Sequence, residues 1–455
     1  MRVLCFGDLH LGAGYEHRKD ALADAEAILD QIVAIAIERG VSLILNAGDT
    51  FHRAKPEPAA LHVFKRFCDQ LADTGILMVA LGGNGLHESA PGQKSALELF
   101  ESRWVRVSRT PEYISEFAGV TVCTLPAATV GRLAAAQGSG DRAELNAQAV
   151  ELLLRAARDL FATALEQTNG PRILLAHQMV SGASLPTGLA VEQIGSVVLP
   201  VEKLERIGYD AIVLGDIHQM QALGNGYDIT RHQPQAFYCG SPMCMDFGEA
   251  DVPHGCWLLD VEVGGAIATP ITLADRRFVT IDVDLTQEPG VLIPGWLPRS
   301  SAQDSSGEGA ASHNAERGLA RLHAEGVPER VPPGMRAPNP AGASLDETDI
   351  LAAEIVAQGN GLLRDAVVRV RYRATEEQHR RVDQPALLRL LEDAGVHRIY
   401  GGLQWLPVRE SRTRSADLDE TLAPLDSVAL WMTAAGEDDG GLLMALTAAY
   451  LEAIA

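Results

Sequence analysis

Aspartate, asparagine and histidine follow short apolar runs at several points of this sequence, in a pattern that suits the binding of divalent cations. Three runs end in Gly-Asp and one ends in Gly-Asn, and two of the Gly-Asp pairs carry a histidine two residues later. Carboxylates can bridge two cations, and imidazole nitrogens with a carboxamide oxygen complete a ligand set that favours Mn²⁺, Fe²⁺ or Mg²⁺-like ions over structural zinc. The candidate ligands are Asp8, His10, Asp49, Asn84, His177, Asp216 and His218.

The apolar runs before these residues are predicted to be β-strands, and they alternate with predicted helices. Apolar residues recur at helical spacing over 20–39, 58–72 and 143–167. This alternation predicts an α/β layered domain over 1–285. Because ligands of open α/β sheets gather beyond the carboxyl ends of the strands, the strand ends can bring the candidate ligands together. Strands are predicted over 2–6, 42–46, 77–80, 120–125, 172–176, 211–214, 236–239 and 256–263.

The composition is typical of a soluble protein in a reducing compartment. The 455 residues carry a formal net charge of −22, and the six cysteines form no C-x-x-C pair, so a structural zinc site is not expected. We see neither a signal peptide nor an apolar run long enough to span a bilayer, and therefore expect a cytoplasmic protein without a membrane partner. The negative charge argues against a simple DNA-coating protein, but cations bound among carboxylates would invert the local field.

Changes in composition divide the rest of the chain. Residues 286–348 include Pro-, Ser- and Gly-rich stretches and are predicted to be a flexible linker or insert, followed by a small α+β domain over 349–435. An arginine-rich stretch over 364–414 indicates either a nucleic-acid surface or the solvated faces of this domain. The stretch 436–455 is predicted to be an amphipathic helix that docks on its own domain or on a partner.

The order of the motifs resembles that of the calcineurin-like metallophosphoesterases. Along the chain it runs G-D-x-H, G-D-x-x-H, G-N, a lone histidine and G-x-x-H. Within that family the chain looks most like the SbcD-type DNA repair exonuclease subunits. The resemblance implies an α/β fold, a calcineurin-like layered β-sandwich flanked by helices, with a smaller α+β domain that caps DNA. The segments that carry the narrower resemblance are 51–52, 238–241, 246–249 and 276–278.

The same resemblance implies a site for two divalent metal ions, with Mn²⁺ as the expected ion. It gives His52 the role of an outer catalytic histidine near the scissile phosphate. The implied activity is cleavage of DNA, as a double-strand exonuclease and a single-strand endonuclease. The implied partners are an SbcC-type ABC ATPase and a second copy of the chain, the latter bound through helices such as 58–72. One ion would be held by Asp8, His10, Asp49 and His218, and the other by Asp49, Asn84, His177 and Asp216.

Two departures from the family pattern bear on activity. Asp216 stands where the family usually has histidine, and an aspartate can still bind a hard cation. After Asn84 the family usually has His-Asp, whereas this chain has Gly-Leu-His-Glu. Either the loop is remodelled so that His87 is the catalytic histidine, or His87 is a solvated loop residue and the enzyme is impaired.

Three functional hypotheses are therefore open, and a metal-dependent DNA nuclease is the leading one. A phosphoesterase for small phosphoesters would share the metal site but would not need the arginine-rich second domain. A catalytically impaired scaffold that binds DNA ends or an ATPase would account for the missing histidine after Asn84.

Overall fold

The structure is a computed structural model that describes residues 1–13, 21–89, 93–127, 142–194, 197–223, 236–286, 346–359 and 361–408. Most of the predicted linker over 286–348 and the whole predicted helix over 436–455 lie outside these residues, so both stay predictions. The described strands form two six-stranded sheets, a three-stranded sheet and a two-stranded ribbon.

The strands are numbered in chain order. They are β1 (Arg2–Phe6), β2 (Leu43–Asn46), β3 (Leu77–Leu81), β4 (Val105–Ser108), β5 (Glu112–Phe117), β6 (Val120–Leu125), β7 (Arg172–His177), β8 (Met179–Val180), β9 (Val198–Leu199), β10 (Ala211–Gly215), β11 (Gln221–Leu223), β12 (Ala236–Tyr238), β13 (Gly255–Glu262), β14 (Gly265–Thr272), β15 (Phe278–Asp284), β16 (Val367–Ala374) and β17 (Arg398–Pro407).

The α-helices are numbered in the same way, and the first three cover the two large sheets. None of the helices in the described ranges has both the length and the apolar character that crossing a membrane would require. The helices are α1 (Ala21–Glu38), α2 (Pro58–Thr74), α3 (Arg142–Gln167), α4 (Val201–Glu205), α5 (Glu347–Gly359), α6 (Glu376–Arg381) and α7 (Gln384–Asp393).

The first large sheet has the strand order β14-β13-β1-β2-β3-β4, and its strands β1 to β4 run parallel. Every residue of β2 is buried, which is typical of a parallel strand covered on both faces. Helices α1 and α2 cover the outer face, where Ile28 and Phe64 pack in one apolar cluster with Phe6 of the sheet.

The second large sheet has the strand order β11-β12-β10-β7-β6-β5, and β12, β10, β7 and β6 run parallel. Helix α3 covers its outer face through Leu153 and Leu154, which pack in a cluster with Leu174 and Leu214 of the sheet.

The two large sheets face each other across a shared apolar layer. Leu45 and Val79 of the first sheet belong to one cluster with Leu175 and Val213 of the second. All four side chains are fully buried. This arrangement of two sheets with helices outside confirms the predicted layered β-sandwich.

The small domain is built on a parallel sheet with the order β15-β16-β17. Its apolar cluster joins Ile281, Leu351, Val368 and Leu391 from β15, α5, β16 and α7. The first strand of this sheet lies within residues 1–285, the range that the sequence assigned to the first domain. The small sheet thus takes its first strand from before the predicted linker and the other two from after it.

Candidate metal centre

Polar side chains leave the carboxyl ends of five buried strands and meet at one end of the sandwich. The parallel direction of these strands within each sheet puts their carboxyl ends at the same edge. The structure thereby brings the seven candidate ligands together. Asp8 and His10 follow β1, Asp49 follows β2, Asn84 follows β3, His177 ends β7, and Asp216 and His218 follow β10.

Asp49 lies at the middle of this group. Its Oδ2 atom is 3.4 Å from Nε2 of His177 and 3.8 Å from Nε2 of His10. The backbone and side-chain N–H groups of Asn84 donate to the two oxygens of Asp49, both at 2.9 Å. The carboxamide oxygen of Asn84 accepts a hydrogen bond from the backbone N–H of Leu86 at 3.0 Å. In this structure Asn84 therefore presents its amide nitrogen, and not its oxygen, to Asp49.

The surroundings of His177 fit a bound cation. Its Nδ1 atom donates to the carbonyl oxygen of Ala47 at 2.7 Å, which turns Nε2 toward the centre. That Nε2 atom is buried, has no hydrogen-bond partner among the described residues and lies 3.4 Å from oxygens of both Asp49 and Asp216. A lone pair facing two carboxylates is repelled, so a proton or a metal ion must balance the charge there. Burial favours neutral His177, yet the two carboxylates raise its pKa well above the usual value.

A second group lies beside the first. The Nε2 atoms of His10 and His218 are 3.1 Å apart, and the carboxylate of Asp8 accepts the backbone N–H of Asp216 at 3.1 Å. Ligand atoms of Asp8, His10 and His218 all lie within 4.8 Å of one another. The same holds for Asp8, Asp49 and His177, so two overlapping groups could each hold a metal ion.

Burial controls the charges of the centre. It raises the pKa of Asp8 to about 7, although His177 and His218 act in the opposite direction. It also lowers the pKa of His10 well below the usual value. Burial opposes ionisation of Asp49, but the imidazoles around it, His177 above all, hold its pKa well below the usual range. Near neutral pH, Asp49 is thus ionised and His10 is neutral, which are the forms that bind metal.

Four of the candidate ligands have a left-handed backbone conformation that favours glycine. The φ angles are 52° at Asp8, 48° at His10, 48° at Asp49 and 92° at Asp216. Such a conformation costs about 1–3 kcal/mol per residue and persists only where the surroundings hold it. Backbone hydrogen bonds supply part of that support, because Asp8 donates to Gly48 at 3.0 Å and His10 donates to Asp49 at 2.9 Å.

The glycines of the motifs are needed for close approach. A Cβ atom on Gly83 would overlap the carboxylate of Asp49, and one on Gly48 would overlap the imidazole of His177. Gly48 also has a φ of +110°, which side-chain-bearing residues rarely adopt. The Gly-Asp and Gly-Asn pairs therefore allow the loops of the two sheets to touch.

His52 and His87 lie next to His10 at the edge of the centre. The ring centroids of His10 and His87 are 4.4 Å apart, and those of His52 and His87 are 5.3 Å apart. Nδ1 of His87 donates to the carbonyl oxygen of His52 at 2.5 Å, and Nε2 lies 3.9 Å from Oδ2 of Asp49. The side chain of His87 is only 14% exposed, so it lies in the centre and not in solvent.

Sequence reasoning assigns no role to Glu249, which the structure places against a candidate ligand. Oε1 of Glu249 is 2.5 Å from Nδ1 of His218. Burial would lower the pKa of His218, but the hydrogen bond to Glu249 and the charge of Asp8 raise it to about 9. The sequence identifies the segment 246–249 only as a family-like stretch, and nothing in it shows which strand end it will face.

Two of the three arginines of β16 are paired with acidic residues of the neighbouring strand. The parallel register places Asp282 beside Arg371 and Asp284 beside Arg373. Nε of Arg371 donates to Asp282 at 2.6 Å, and Arg373 lies 3.7 Å from Asp284. The charges of Arg371 and Arg373 are thus neutralised within the small domain itself, whereas Arg369 donates to the hydroxyl of Thr280.

Comparison with known proteins finds a family match in the N-terminal part of the chain. Residues 1–220 match the model of the calcineurin-like phosphoesterases. This part of the chain is therefore similar to the calcineurin-like phosphoesterases, whose members are hydrolases with a dinuclear metal centre.

Curated relatives narrow the likeness to nuclease and repair proteins. The chain is 26% identical over 258 residues to the D subunit of nuclease SbcCD from Escherichia coli strain K12, which is 55% of this chain and 62% of that protein. It is 26% identical over 294 residues to the DNA double-strand break repair protein Mre11 of Haloferax volcanii, which is 64% of this chain and 56% of that protein. For the D subunit of nuclease SbcCD from Bacillus subtilis the identity is 26% over 279 residues, which is 58% of this chain and 67% of that protein. The matched part thus spans less than two thirds of the first two relatives.

Proposed function

We propose that this chain is a two-metal-dependent DNA nuclease, similar to SbcD, that acts as a double-strand exonuclease and a single-strand endonuclease in a DNA-end-processing complex. The observation that carries the proposal is the convergence of seven candidate ligands around Asp49, with Nε2 of His177 facing two carboxylates. The similarity to SbcD and Mre11 supports DNA as the substrate.

The ligand set of this proposal uses both overlapping groups. When bound, two divalent ions polarise a phosphodiester and lower the pKa of water so that hydroxide can attack. The chain's own contribution is to keep Asp49 ionised between the two groups and His10 neutral. Mn²⁺ is the ion that we expect to be physiological. One ion would be held by Asp8, His10, Asp49 and His218, and the other by Asp49, His177 and Asp216. Asn84 would join the second set through its carboxamide oxygen once that oxygen turns from the N–H of Leu86 toward Asp49.

His87 is the catalytic histidine of this proposal, in place of the family histidine that is missing after Asn84. Because Nδ1 of His87 donates to the backbone of His52, Nε2 is the atom turned toward the centre. In the doubly protonated form of His87, the proton on Nε2 can be given to the leaving sugar oxygen, while Nδ1 keeps its own proton. His52 lies further out and would contact the phosphate. This geometry argues against a decayed scaffold, the third hypothesis from the sequence.

The partners of the proposed nuclease follow from the same similarity. An SbcC-type ABC ATPase would bind the chain, and the protein would act on DNA in the cytoplasm. A homodimer would form through the region of α2, whose outward face carries charged residues such as Lys65 and Asp69. Sedimentation equilibrium of the purified chain tests the dimer, and a monomer at micromolar concentration would contradict it.

Cleavage assays with Mn²⁺ test the nuclease activity. Linear duplex DNA and circular single-stranded DNA are the substrates that separate exonuclease from endonuclease action. Asp49→Ala should abolish both activities, because it removes the carboxylate that the two proposed ion sites share. Glu151→Ala, which removes a carboxylate with 60% exposure on α3, is the control and should retain activity. Cleavage that survives in Asp49→Ala would contradict the proposal.

A phosphoesterase for small phosphoesters is the second candidate, and the pairing of Arg371 and Arg373 with aspartates favours it. A competition assay distinguishes the two. If DNA is the substrate, saturating duplex DNA should inhibit turnover of bis-p-nitrophenyl phosphate, since both occupy one site. Undiminished turnover of the small diester in the presence of DNA would favour the second candidate.

A further inference from the structure

We propose that Glu249 is a positioning residue that fixes the ring of His218, so that Nε2 of His218 is held toward the metal centre. The proposal rests on the metal-binding role of His218 in the proposed function. It concerns a residue to which neither the motifs nor the family match assigns a role.

Both oxygens of Glu249 are engaged, which prevents the carboxylate from turning. Oε1 is 2.5 Å from Nδ1 of His218, and Oε2 accepts the backbone N–H of Met245 at 2.8 Å. The residue is 7% exposed. An ionised carboxylate only accepts hydrogen bonds, so Nδ1 of His218 must carry the proton in this contact. The remaining nitrogen, Nε2, then lies 3.1 Å from Nε2 of His10.

A ring of contacts through Ser241 and His254 lies behind this pair. The backbone N–H of Ser241 donates to the carbonyl oxygen of His218 at 2.8 Å. Nδ1 of His254 faces the carbonyl oxygen of Ser241 at 3.2 Å, and Nε2 of His254 faces that of Glu249 at 3.0 Å. The contact between the side chains of Glu249 and His218 completes this ring. His218 is thereby held both at its backbone and at its ring.

The contact with His218 places a carboxylate behind a candidate metal ligand. A ligand histidine whose second nitrogen donates to a carboxylate is a more basic and better oriented metal ligand. Glu249 should therefore strengthen metal binding without touching the ion.

The chain offers a matched control at Asp210. Its two oxygens accept backbone N–H groups of Arg172 at 2.7 Å and Gly264 at 2.6 Å, and it is also 7% exposed. Asp210 and Glu249 are therefore equally buried carboxylates with two hydrogen bonds each, but Asp210 contacts none of the candidate ligands. Asp210→Asn reproduces the structural cost of losing such a carboxylate.

Titration calorimetry with Mn²⁺ alone tests the proposal without DNA. Glu249→Gln and Glu249→Ala should bind Mn²⁺ about 10–100-fold more weakly than the unchanged protein, with the larger loss in Glu249→Ala, which keeps no acceptor for Nδ1. Asp210→Asn should bind as the unchanged protein does. Affinity within about twofold of the unchanged protein in both Glu249 variants, or an equal loss in Asp210→Asn, would overturn the proposal.

A measurement on the unchanged protein covers the case in which the variants do not fold. In ¹⁵N-histidine spectra of the Mg²⁺-loaded protein, assigned with the His218→Asn variant, Nδ1 of His218 should carry the proton and Nε2 should not. A proton on Nε2 would overturn the proposal. Both readouts are independent of nuclease activity, so normal metal binding without DNA cleavage would contradict the proposed function and not the role of Glu249.

Discussion

At the residue scale, the centre combines carboxylates and imidazoles whose burial decides their charge. Asp49 stays ionised because imidazoles surround it, whereas burial raises the pKa of Asp8 to about 7, close to neutral pH. His87 adds an imidazole that comes from a loop position two residues later than the family pattern. The two predictions at this scale concern that histidine and the protons that a metal must displace.

Replacing His87 by alanine should lower kcat for DNA cleavage by about 10²–10⁴-fold, because the leaving oxygen loses its proton donor. The affinity for Mn²⁺ should change little, since His87 is not among the proposed ligands. Steady-state cleavage and calorimetry measure the two quantities.

Leu86→Ala is the control for His87→Ala, because Leu86 lies in the same loop with 81% exposure. It should retain full activity. Gly85→His in the His87→Ala background places a histidine directly after Asn84, where the family usually has one. This variant should recover part of the lost kcat. Equal kcat in His87→Ala and the unchanged protein would show that His87 is a bystander.

Metal affinity should rise with pH. Burial lowers the pKa of both His177 and His218, but nearby carboxylates outweigh it. Asp49 and Asp216 raise the pKa of His177 well above its usual value, and Glu249 and Asp8 raise that of His218 to about 9. At neutral pH both rings hold a proton that the metal must displace, and fewer such protons are present as the pH increases toward the pKa of His218. Each displaced proton changes the dissociation constant by up to about tenfold per pH unit.

Calorimetry in two buffers of different ionisation enthalpy measures the number of protons released on Mn²⁺ binding. We expect a net release at neutral pH and a falling dissociation constant from about pH 6 to about pH 9. Proton uptake, or an affinity independent of pH over this range, would contradict the protonation of His177 and His218 at neutral pH.

At the element scale, the candidate site is made where parallel strands end and tight loops begin. The loops after β2 and β3 approach each other so closely that Gly83 has no room for a side chain. The same approach lets the backbone N–H of Asn84 reach the carboxylate of Asp49. The glycines therefore act on the metal centre through the spacing between elements.

Gly83→Ala should abolish metal binding, because the new Cβ would displace the carboxylate of Asp49. The neighbouring Gly82→Ala is the control. Its Cβ would come no closer than 3.3 Å to a neighbouring atom, Cγ of Arg109, so a shift of a few tenths of an ångström would relieve the contact. Calorimetry with Mn²⁺ and thermal unfolding compare the two variants. Normal Mn²⁺ affinity in a folded Gly83→Ala protein would refute the steric argument.

The strands that carry the ligands could be predicted from the sequence, because short apolar runs end there in Gly-Asp, in Gly-Asn or, at β7, in Ala-His. Edge strands could not be predicted in the same way. The strand β5 (Glu112–Phe117) mixes charged and aromatic residues, and β14 (Gly265–Thr272) has few buried positions. The contact between Glu249 and His218 was beyond prediction, because it joins residues 31 apart that only the folded chain brings together.

At the scale of the whole molecule, two sets of contacts join the small domain to the sandwich. Arg276 donates to Asp24 of α1 at 2.7 Å and also to Asp365, which precedes β16. The ring of Phe247 packs against Phe278 at 5.0 Å between centroids. The guanidinium of Arg369 lies 4.3 Å from the centroid of the Phe247 ring.

Arg276→Ala should lower the free energy of unfolding by about 1–3 kcal/mol, because the hydrogen bonds from Arg276 to the carboxylate of Asp24 would be lost in a site that is only 13% exposed. Denaturant unfolding measures the change. Arg380→Ala, which removes an arginine with 73% exposure from a surface pair, is the control and should cost about 0–1 kcal/mol. A loss no larger than that of the control would show that Arg276 does not join the domains.

The left-handed backbone at Asp8, His10, Asp49 and Asp216 has a consequence for how ions enter and leave. These torsions are held by backbone hydrogen bonds between the loops, such as those from Asp8 to Gly48 and from His10 to Asp49. We therefore expect the loops to stay ordered when a chelator removes the ions. The rate of metal rebinding should depend on how fast the ion loses its hydration water and not on rearrangement of the polypeptide.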